Sequence, residues 1–353
     1  MKKSIAIAER LSAPILWVVG IANLLFLAAF VATLLLLAGP ASAQTVACTG
    51  TDMLAHMEQA EPAKLAAIRE RARLTPNGEG RLWKIEKEGL EPSFLFGTMH
   101  MTDPRVVALP PAAQAAFDDS KIVVIETTDL LDPAGLVAII GKRPELTAFT
   151  DGTKLTSLMT PEEAEVVRRG LAERGVSLEA VAGLKPWILS AMVSVPACET
   201  ARKAGGAQVL DMKLAHDAKA AGKEVGGLET AVSQLETMAG LPMSFHVDGL
   251  VETLRLGSRI DDVIETMITI YLDGQTGLFW PFFEAVLPPG DGAGYAEFEE
   301  RMITARNSGM AAKSEEFIDR GGAFIAIGSL HLPGGQGVVE RLRTAGYMVT
   351  RAD

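Results

Sequence analysis

The sequence predicts an α/β (or α+β) fold in which a mixed β-sheet core is covered by many helices. Three observations predict it. Strand-like apolar runs are few and short, at 82–87, 93–96, 122–125 and 323–327, with a closing run at 347–351. The longer stretches between them carry helical patterning. Two of the strand runs end in one shared frame, Phe94-Leu95-Phe96-Gly97-Thr98-Met99-His100 and Phe324-Ile325-Ala326-Ile327-Gly328-Ser329-Leu330-His331. No repeat of about 20–50 residues is visible. The hint of two related halves comes from these strand-Gly-x-x-His units.

Taken in order, residues 52–74 read as a helix that Thr75-Pro76-Asn77-Gly78 breaks. Leu82 to Lys87 alternates, Glu88-Gly89 turns, and Ser93 to Phe96 is apolar, a hairpin signature that feeds the first Gly-x-x-His. A short helix is expected over 104–117, followed by the buried strand Ile122-Val123-Val124-Ile125, which ends on Glu126. Thr160-Pro161-Glu162-Glu163 starts a helix well: an N-cap Thr, Pro in the first turn, and Glu three residues after the cap. Helical patterns continue over 186–203 and 209–221, a short strand is expected over 222–226, and helices follow over 230–239 and 247–272. Residues 274–294 carry Gly, Pro and the stretch Phe279-Trp280-Pro281-Phe282-Phe283, which predicts a loop or a mobile cover. A long helix over 295–320 leads into the second buried strand, and a helix over 338–344 leads into the closing one.

The first residues stand apart from this pattern. Lys2, Lys3 and Arg10 precede or open an apolar run, Ala13 to Leu37 carries no charge, and Ala41-Ser42-Ala43 offers a small-x-small cleavage frame before Gln44. The run exceeds the roughly 7–15 residues of a usual signal core. It suffices for the ~20 residues that span a bilayer. Residues 1–43 are therefore a long signal peptide or an uncleaved anchor through 13–37. Both place the body, 44–353, on the periplasmic or exported side, because the basic residues stay inside. The chain holds 33 Lys and Arg against 44 Asp and Glu, a net charge of −11. That balance argues against nucleic acid or anionic membrane surfaces as partners, so membrane contact is expected only through the N-terminal segment. Two cysteines, Cys48 and Cys198, invite a disulfide in an oxidising compartment; two separate buried thiols are the alternative.

A strand that ends on Gly-x-x-His has a physical logic. Gly lets the backbone turn sharply or approach a ligand closely. The His then projects from the strand's carboxyl end, where α/β sheets place their ligands. Glu126 closes its own strand in the same way. Two imidazoles and a carboxylate are a common ligand set for a catalytic divalent metal of the Mn, Co or Zn type with an open position for water. Of the five histidines, the other three have blander readings. His56 is a surface or partly buried residue of the first helix, His216 beside Asp217 sits on a solvated helix face, and His246 packs near a helix start.

Several segments together carry a resemblance. Leu95-Phe96-Gly97-Thr98-Met99-His100, Val124-Ile125-Glu126, Leu184-Lys185-Pro186-Trp187, Leu210-Asp211, Gly222-Lys223 with Leu228-Glu229-Thr230, Arg306-Asn307, and Ala326 through Gly334 occur in family order. Over roughly 45–353 the chain resembles the TraB/PrgY/GumN family, which includes the Tiki proteins, and is most similar to its GumN-like bacterial branch. The resemblance implies a shared fold and a site built from His100, Glu126 and His331. In the Tiki branch the matching positions belong to a metal-dependent protease, and a related group is esterase-like. By that likeness the three residues bind a divalent metal or activate water. Asp211, Glu229, Arg306 and Asn307 match family positions as supporting residues, with Arg306 suited to orienting a substrate carboxylate or Glu126. The long leader and the aromatic stretch depart from the family pattern and bear on what reaches the site.

Three functions are compatible with this sequence. The first is an extracytoplasmic metal-dependent hydrolase, peptidase-like, acting on a peptide or other small exported substrate with Glu126 as ligand or base. The second is a non-catalytic envelope protein that binds or sequesters a peptide or glycan. The third is an esterase or amidase that uses a His/Glu pair without metal.

Overall fold

The computed structural model describes residues 48–286 and 293–353, so the expected leader lies outside the described residues. The described residues belong to one unit, 46–353. None of their helices is long and apolar enough to cross a membrane.

Six strands form one mixed sheet: β1 (Leu82–Glu86), β2 (Ser93–Thr98), β3 (Ile122–Ile125), β4 (Glu224–Gly227), β5 (Ala323–Gly328) and β6 (Met348–Arg351). Their order across the sheet is β4-β3-β5-β2-β1-β6. β4, β3, β5 and β2 run parallel, while β1 pairs antiparallel with both β2 and β6. β5 is the last parallel strand in sequence, yet it inserts between β2 and β3, with Thr98 opposite Gly328 and Val124 opposite Ile325. The two Gly-x-x-His strands are therefore immediate neighbours, and their carboxyl ends open on the same edge.

Side chains alternate between the two faces along each strand. On one face Phe96, Val123, Ile125, Phe324 and Ala326 pack with Leu214, Tyr271, Phe279 and Phe282 from covering helices. On the other, Leu95, Ile122, Val124, Ile325 and Ile327 pack with Met310, Ile318, Val339 and Leu342. Strands buried on both faces read as continuous apolar runs, which is why β3 and β5 stand out in the sequence. A third cluster, around Leu171, Leu189, Leu250 and Val251, joins helices Pro161–Ala172, Pro186–Val193 and Met243–Leu256 away from the sheet.

Several expectations are corrected in detail. Residues 274–286 are not a bare loop, while 287–292 of that stretch lie outside the described residues. A 3-10 turn, Thr276–Leu278, leads into helix Phe279–Val286, whose Phe279 and Phe282 are buried in the core. Pro281 sits in that helix's first turn, where its missing N–H forfeits no intrahelical bond. Four helical readings are broken. The first splits into Met53–Ala60 and Pro62–Arg73, with Pro62 opening the second piece. The reading over 104–117 splits into Pro104–Val107 and Pro111–Asp119, and Pro111 again opens the second piece. The reading over 186–203 splits at Pro196 into Pro186–Val193 and Ala197–Ala204. The one over 247–272 splits into Met243–Leu256 and Arg259–Leu272 at Gly257, whose φ of 55° lies in the left-handed region. The expected long helix over 295–320 contains a π-helical stretch, Glu300–Thr304, before Ala305–Ile318. The capping box at Thr160 and Glu163 forms as expected.

Candidate active site

Four neighbouring parallel strands deliver the site from one edge. Glu229 follows β4, Glu126 follows β3, His331 follows β5, and His100 follows β2. His100 Nε2 lies 3.9 Å from Glu126 Oε1. A Cβ built on Gly328 would fall 3.1 Å from Glu126 Oε1 and 3.5 Å from His331 Cδ2, so both side chains crowd the same backbone point. The three residues singled out from sequence thus converge.

The glycines of the two frames explain the close approach. A Cβ on Gly97 would fall 2.6 Å from Leu332 Cδ1 and 2.9 Å from Ser329 Oγ, so only Gly admits the turn after β5. Ser329 Oγ then donates to the Thr98 carbonyl at 2.8 Å, tying the two strand ends together. Buried Tyr271 donates its hydroxyl to the Gly97 carbonyl at 3.1 Å. Beyond the glycines the frames diverge. Ser329–His331 forms a 3-10 turn that buries His331, whereas the His100 side chain is 58 % exposed.

Each imidazole has its Nδ1 held by a side-chain oxygen. Asp211 accepts from His100 Nδ1–H at 2.8 Å and from Thr98 Oγ1–H at 2.6 Å. Asp211 is buried in the first turn of helix Leu210–Ala220; it braces His100 and does not cap the helix, whose N-cap is Val209. Asn307 donates Nδ2–H to the Gln336 carbonyl at 2.9 Å, which leaves Oδ1 to accept His331 Nδ1–H at 2.7 Å. Both rings therefore keep Nε2 for other work, the arrangement in which an outer partner orients a ligating histidine.

Glu126 is held as an anion. Oε1 accepts from the Gly328 N–H at 2.8 Å. Oε2 accepts from Arg306 Nη2 at 2.8 Å and from Gln234 Nε2 at 3.1 Å. Arg306 also reaches Glu229 at 2.6 Å, and Gln234 Nε2 donates to Glu229 Oε2 at 3.1 Å. Burial pushes the Glu126 pKa up, but the charges of His100, His331 and Arg306 and the Gly328 N–H outweigh it and hold the carboxyl at about 2. The Asp211 carboxylate, with help from Glu126, draws the His100 pKa up to about 9 against the Arg306 charge; solvent around this exposed ring screens part of that pull. Burial pushes His331 down to about 4, partly offset by Glu126.

The supporting residues named from sequence, Asp211, Glu229, Arg306 and Asn307, all touch the site. Gln234, Thr98 and Glu199 escaped the sequence reading. Glu199, buried on helix Ala197–Ala204, receives Thr102 N–H at 2.9 Å and Thr102 Oγ1–H at 2.7 Å, which pins the loop that carries His100. Its neighbour Cys198 is disulfide-bonded to Cys48, with Cα atoms 5.3 Å apart. His56 is exposed. His246 is buried against the Trp187 ring and bonds the Met238 carbonyl at 2.9 Å. His216 is half-buried, not solvated, and its Nδ1 has no hydrogen-bond partner among the described residues.

One parallel sheet edge thus gathers two histidines and a carboxylate, each braced from behind. The pattern of the TraB/PrgY/gumN family matches residues 81–351, and the chain belongs to that family. Among its relatives, Metalloprotease TIKI1 of Homo sapiens is 28 % identical over 320 residues, covering 77 % of this chain and 61 % of that protein. Metalloprotease TIKI1 of Xenopus tropicalis is 26 % identical over 316 residues, covering 76 % and 60 %. Metalloprotease TIKI2 of Danio rerio is 25 % identical over 317 residues, again covering 76 % and 60 %. The matched region thus spans about 60 % of the length of these curated relatives. No solved structure gives a significant match.

The chemistry of the donor set fits a divalent ion: two imidazoles with Nδ1 engaged and a carboxylate held anionic. The side chains do not stand as a closed cage, since among the described residues no group of three or more His, Cys, Asp or Glu is close enough to hold an ion.

Proposed function

We propose that this chain is an extracytoplasmic, metal-dependent hydrolase of peptidase type, with His100, Glu126 and His331 at its centre. The observation that carries the reading is the bracing of both imidazoles through Nδ1, by Asp211 and by Asn307, beside a buried anionic Glu126. The names of the relatives, metalloproteases, support the same class. The disulfide fits an oxidising compartment, in keeping with an exported body.

In this reading His100, Glu126 and His331 hold a divalent ion of the Mn, Co or Zn type, which supplies Lewis-acid polarisation of a substrate carbonyl. His331 is fixed by burial and Asn307. His100 is exposed and held by Asp211, with its Nε2 3.9 Å from Glu126 Oε1. Glu126, already paired with Arg306, serves as anchoring charge; a carboxyl held near 2 is a weak base at neutral pH. When no ion is bound, His100 carries a proton at Nε2 and is placed to give it to a leaving group. That alternative, a His100–Glu126 pair working without metal as an esterase or amidase, is favoured by the three hydrogen bonds that Glu126 already accepts.

The test is turnover of a peptide library by the purified protein, with and without a chelator, beside Glu126→Gln. Turnover that the chelator abolishes and added Mn, Co or Zn restores supports the metal-dependent reading. Turnover that survives the chelator but not Glu126→Gln supports the metal-free pair. Tight peptide binding without turnover in any condition overturns both and leaves a sequestering protein.

A further inference from the structure

The residues that follow His100, 101–105, are held by two helices. Helix Ala197–Ala204 supplies Glu199 and Arg202. Glu199 takes the Thr102 N–H at 2.9 Å on one carboxylate oxygen and Thr102 Oγ1–H at 2.7 Å on the other, and Arg202 Nη1 donates to Asp103 at 3.3 Å. Helix Arg259–Leu272 supplies Glu265, which accepts Arg105 Nη1 and Nη2, each at 2.7 Å. Glu199 turns away from its own helix for a local reason. It is the third residue of that helix, where a glutamate ordinarily folds back onto the N-cap N–H, but the N-cap is Pro196, which has none. Its buried carboxylate goes to Thr102 instead. The segment Cys48 to Met53 joins the two helices. Cys48 is disulfide-bonded to Cys198, the residue before Glu199. Thr51 N–H donates to Asp262 and Met53 N–H donates to Thr266 Oγ1, each at 2.8 Å, both acceptors on helix Arg259–Leu272. A Cβ on Gly50 would fall 2.0 Å from the Asp261 carbonyl oxygen, so the segment lies directly against that helix. It clips together the two helices that hold the His100 loop.

We propose that Glu199 is a positioning residue for His100 and that the Cys48–Cys198 disulfide keeps it in that role, so that reducing the disulfide frees the His100 loop and weakens the site. His100 is the exposed histidine of the pair; Asp211 holds its ring, and the Thr102–Glu199 contact holds its backbone two residues on. Reduction takes a dithiol. Its thiolate attacks the sulfur of half-buried Cys48, and Cys198 leaves as a thiolate and takes up a proton. The second thiol then closes the reagent to its own disulfide and releases Cys48 as a thiol. The effect on ion binding rests on the hydrolase reading above; the effect on the loop does not.

The test makes two measurements on the full-length protein, oxidised and dithiothreitol-reduced, and on Glu199→Ala and Glu199→Gln. One is hydrogen exchange at the Thr102 amide, read against the β3 amides, which report global opening. The other is calorimetric titration of the metal-free protein with Mn, Co or Zn. In Glu199→Ala and in the reduced protein, Thr102 should exchange about tenfold faster while β3 stays protected, and ion affinity should fall about tenfold. Glu199→Gln keeps an acceptor for the Thr102 N–H and should stay near wild type in both measurements, and reoxidation should restore the reduced protein. Four results overturn the proposal: Thr102 exchange unchanged in Glu199→Ala or on reduction, Thr102 and β3 losing protection together, faster exchange with unchanged ion affinity, or Glu199→Gln as impaired as Glu199→Ala. If the wild type binds no ion, the metal centre fails, and Thr102 exchange alone upholds or overturns the positioning role.

Discussion

His100 and His331 share a sequence frame but not a protonation state. Burial lowers the His331 pKa to about 4, so the unfolded chain takes up a proton first on acidification. Its contribution to stability is complete above about 6.5 and is lost as pH falls toward 4. His100 has the opposite sign: raised to about 9 by Asp211, it stabilises below about 6.5 and loses that contribution as pH rises through 9. In the metal-free protein, imidazole NMR titrations should show His331 neutral and His100 charged at pH 7. Equal midpoints near 6.5 for the two rings would contradict the contacts described. Gly97 makes a second prediction. Gly97→Ala drives a methyl against Leu332 and Ser329, and denaturant unfolding should show a loss of about 1–3 kcal/mol. The sequence exposed His100, Glu126 and His331 because each closes an apolar run. It left their burial unreadable, because the turn after Gly328 is 3-10 and that after Gly97 is not.

At the scale of elements, the π-helical stretch Glu300–Thr304 feeds directly into Arg306 and Asn307. A π turn shifts the register of the residues after it and is often found at functional sites. Here Arg306 faces Glu126 and Glu229, and Asn307 faces His331. The Arg306 cluster is well shielded, with side chains 11 %, 8 % and 14 % exposed. Arg306→Ala strands two carboxylates and should cost about 3–5 kcal/mol by chemical denaturation, with Arg306→Lys intermediate. An unchanged unfolding midpoint would sink this account of the cluster. The strands and most helices were readable from apolar runs, alternation and caps. The π turn, the Phe279–Val286 helix and the breaks at Pro62, Pro111, Pro196 and Gly257 were not, or only in part. Their geometry follows from packing on the sheet more than from local pattern. Glu199 and Gln234 were invisible for a related reason: each matters through a partner about a hundred positions away, Thr102 and Glu126.

For the whole molecule, one disulfide joins Cys48 to a helix 150 positions on, beside the Glu199 that pins the His100 loop. Labelling of the unfolded, unreduced protein should find no free thiol, and Cys48→Ala/Cys198→Ala should lose about 2–5 kcal/mol. Strand order makes the site possible. By inserting between β2 and β3, β5 brings His331 between His100 and Glu126 in the sheet order, a closeness that no local sequence signal encodes. The most direct test of that shared centre is the metal content of the purified protein by elemental analysis, run beside folded His100→Ala, Glu126→Ala and His331→Ala variants. About one Mn, Co or Zn ion per wild-type chain is expected, with a marked loss in each single variant. Wild-type protein without stoichiometric metal, or variants that retain it in full, would contradict a metal centre made by these three residues.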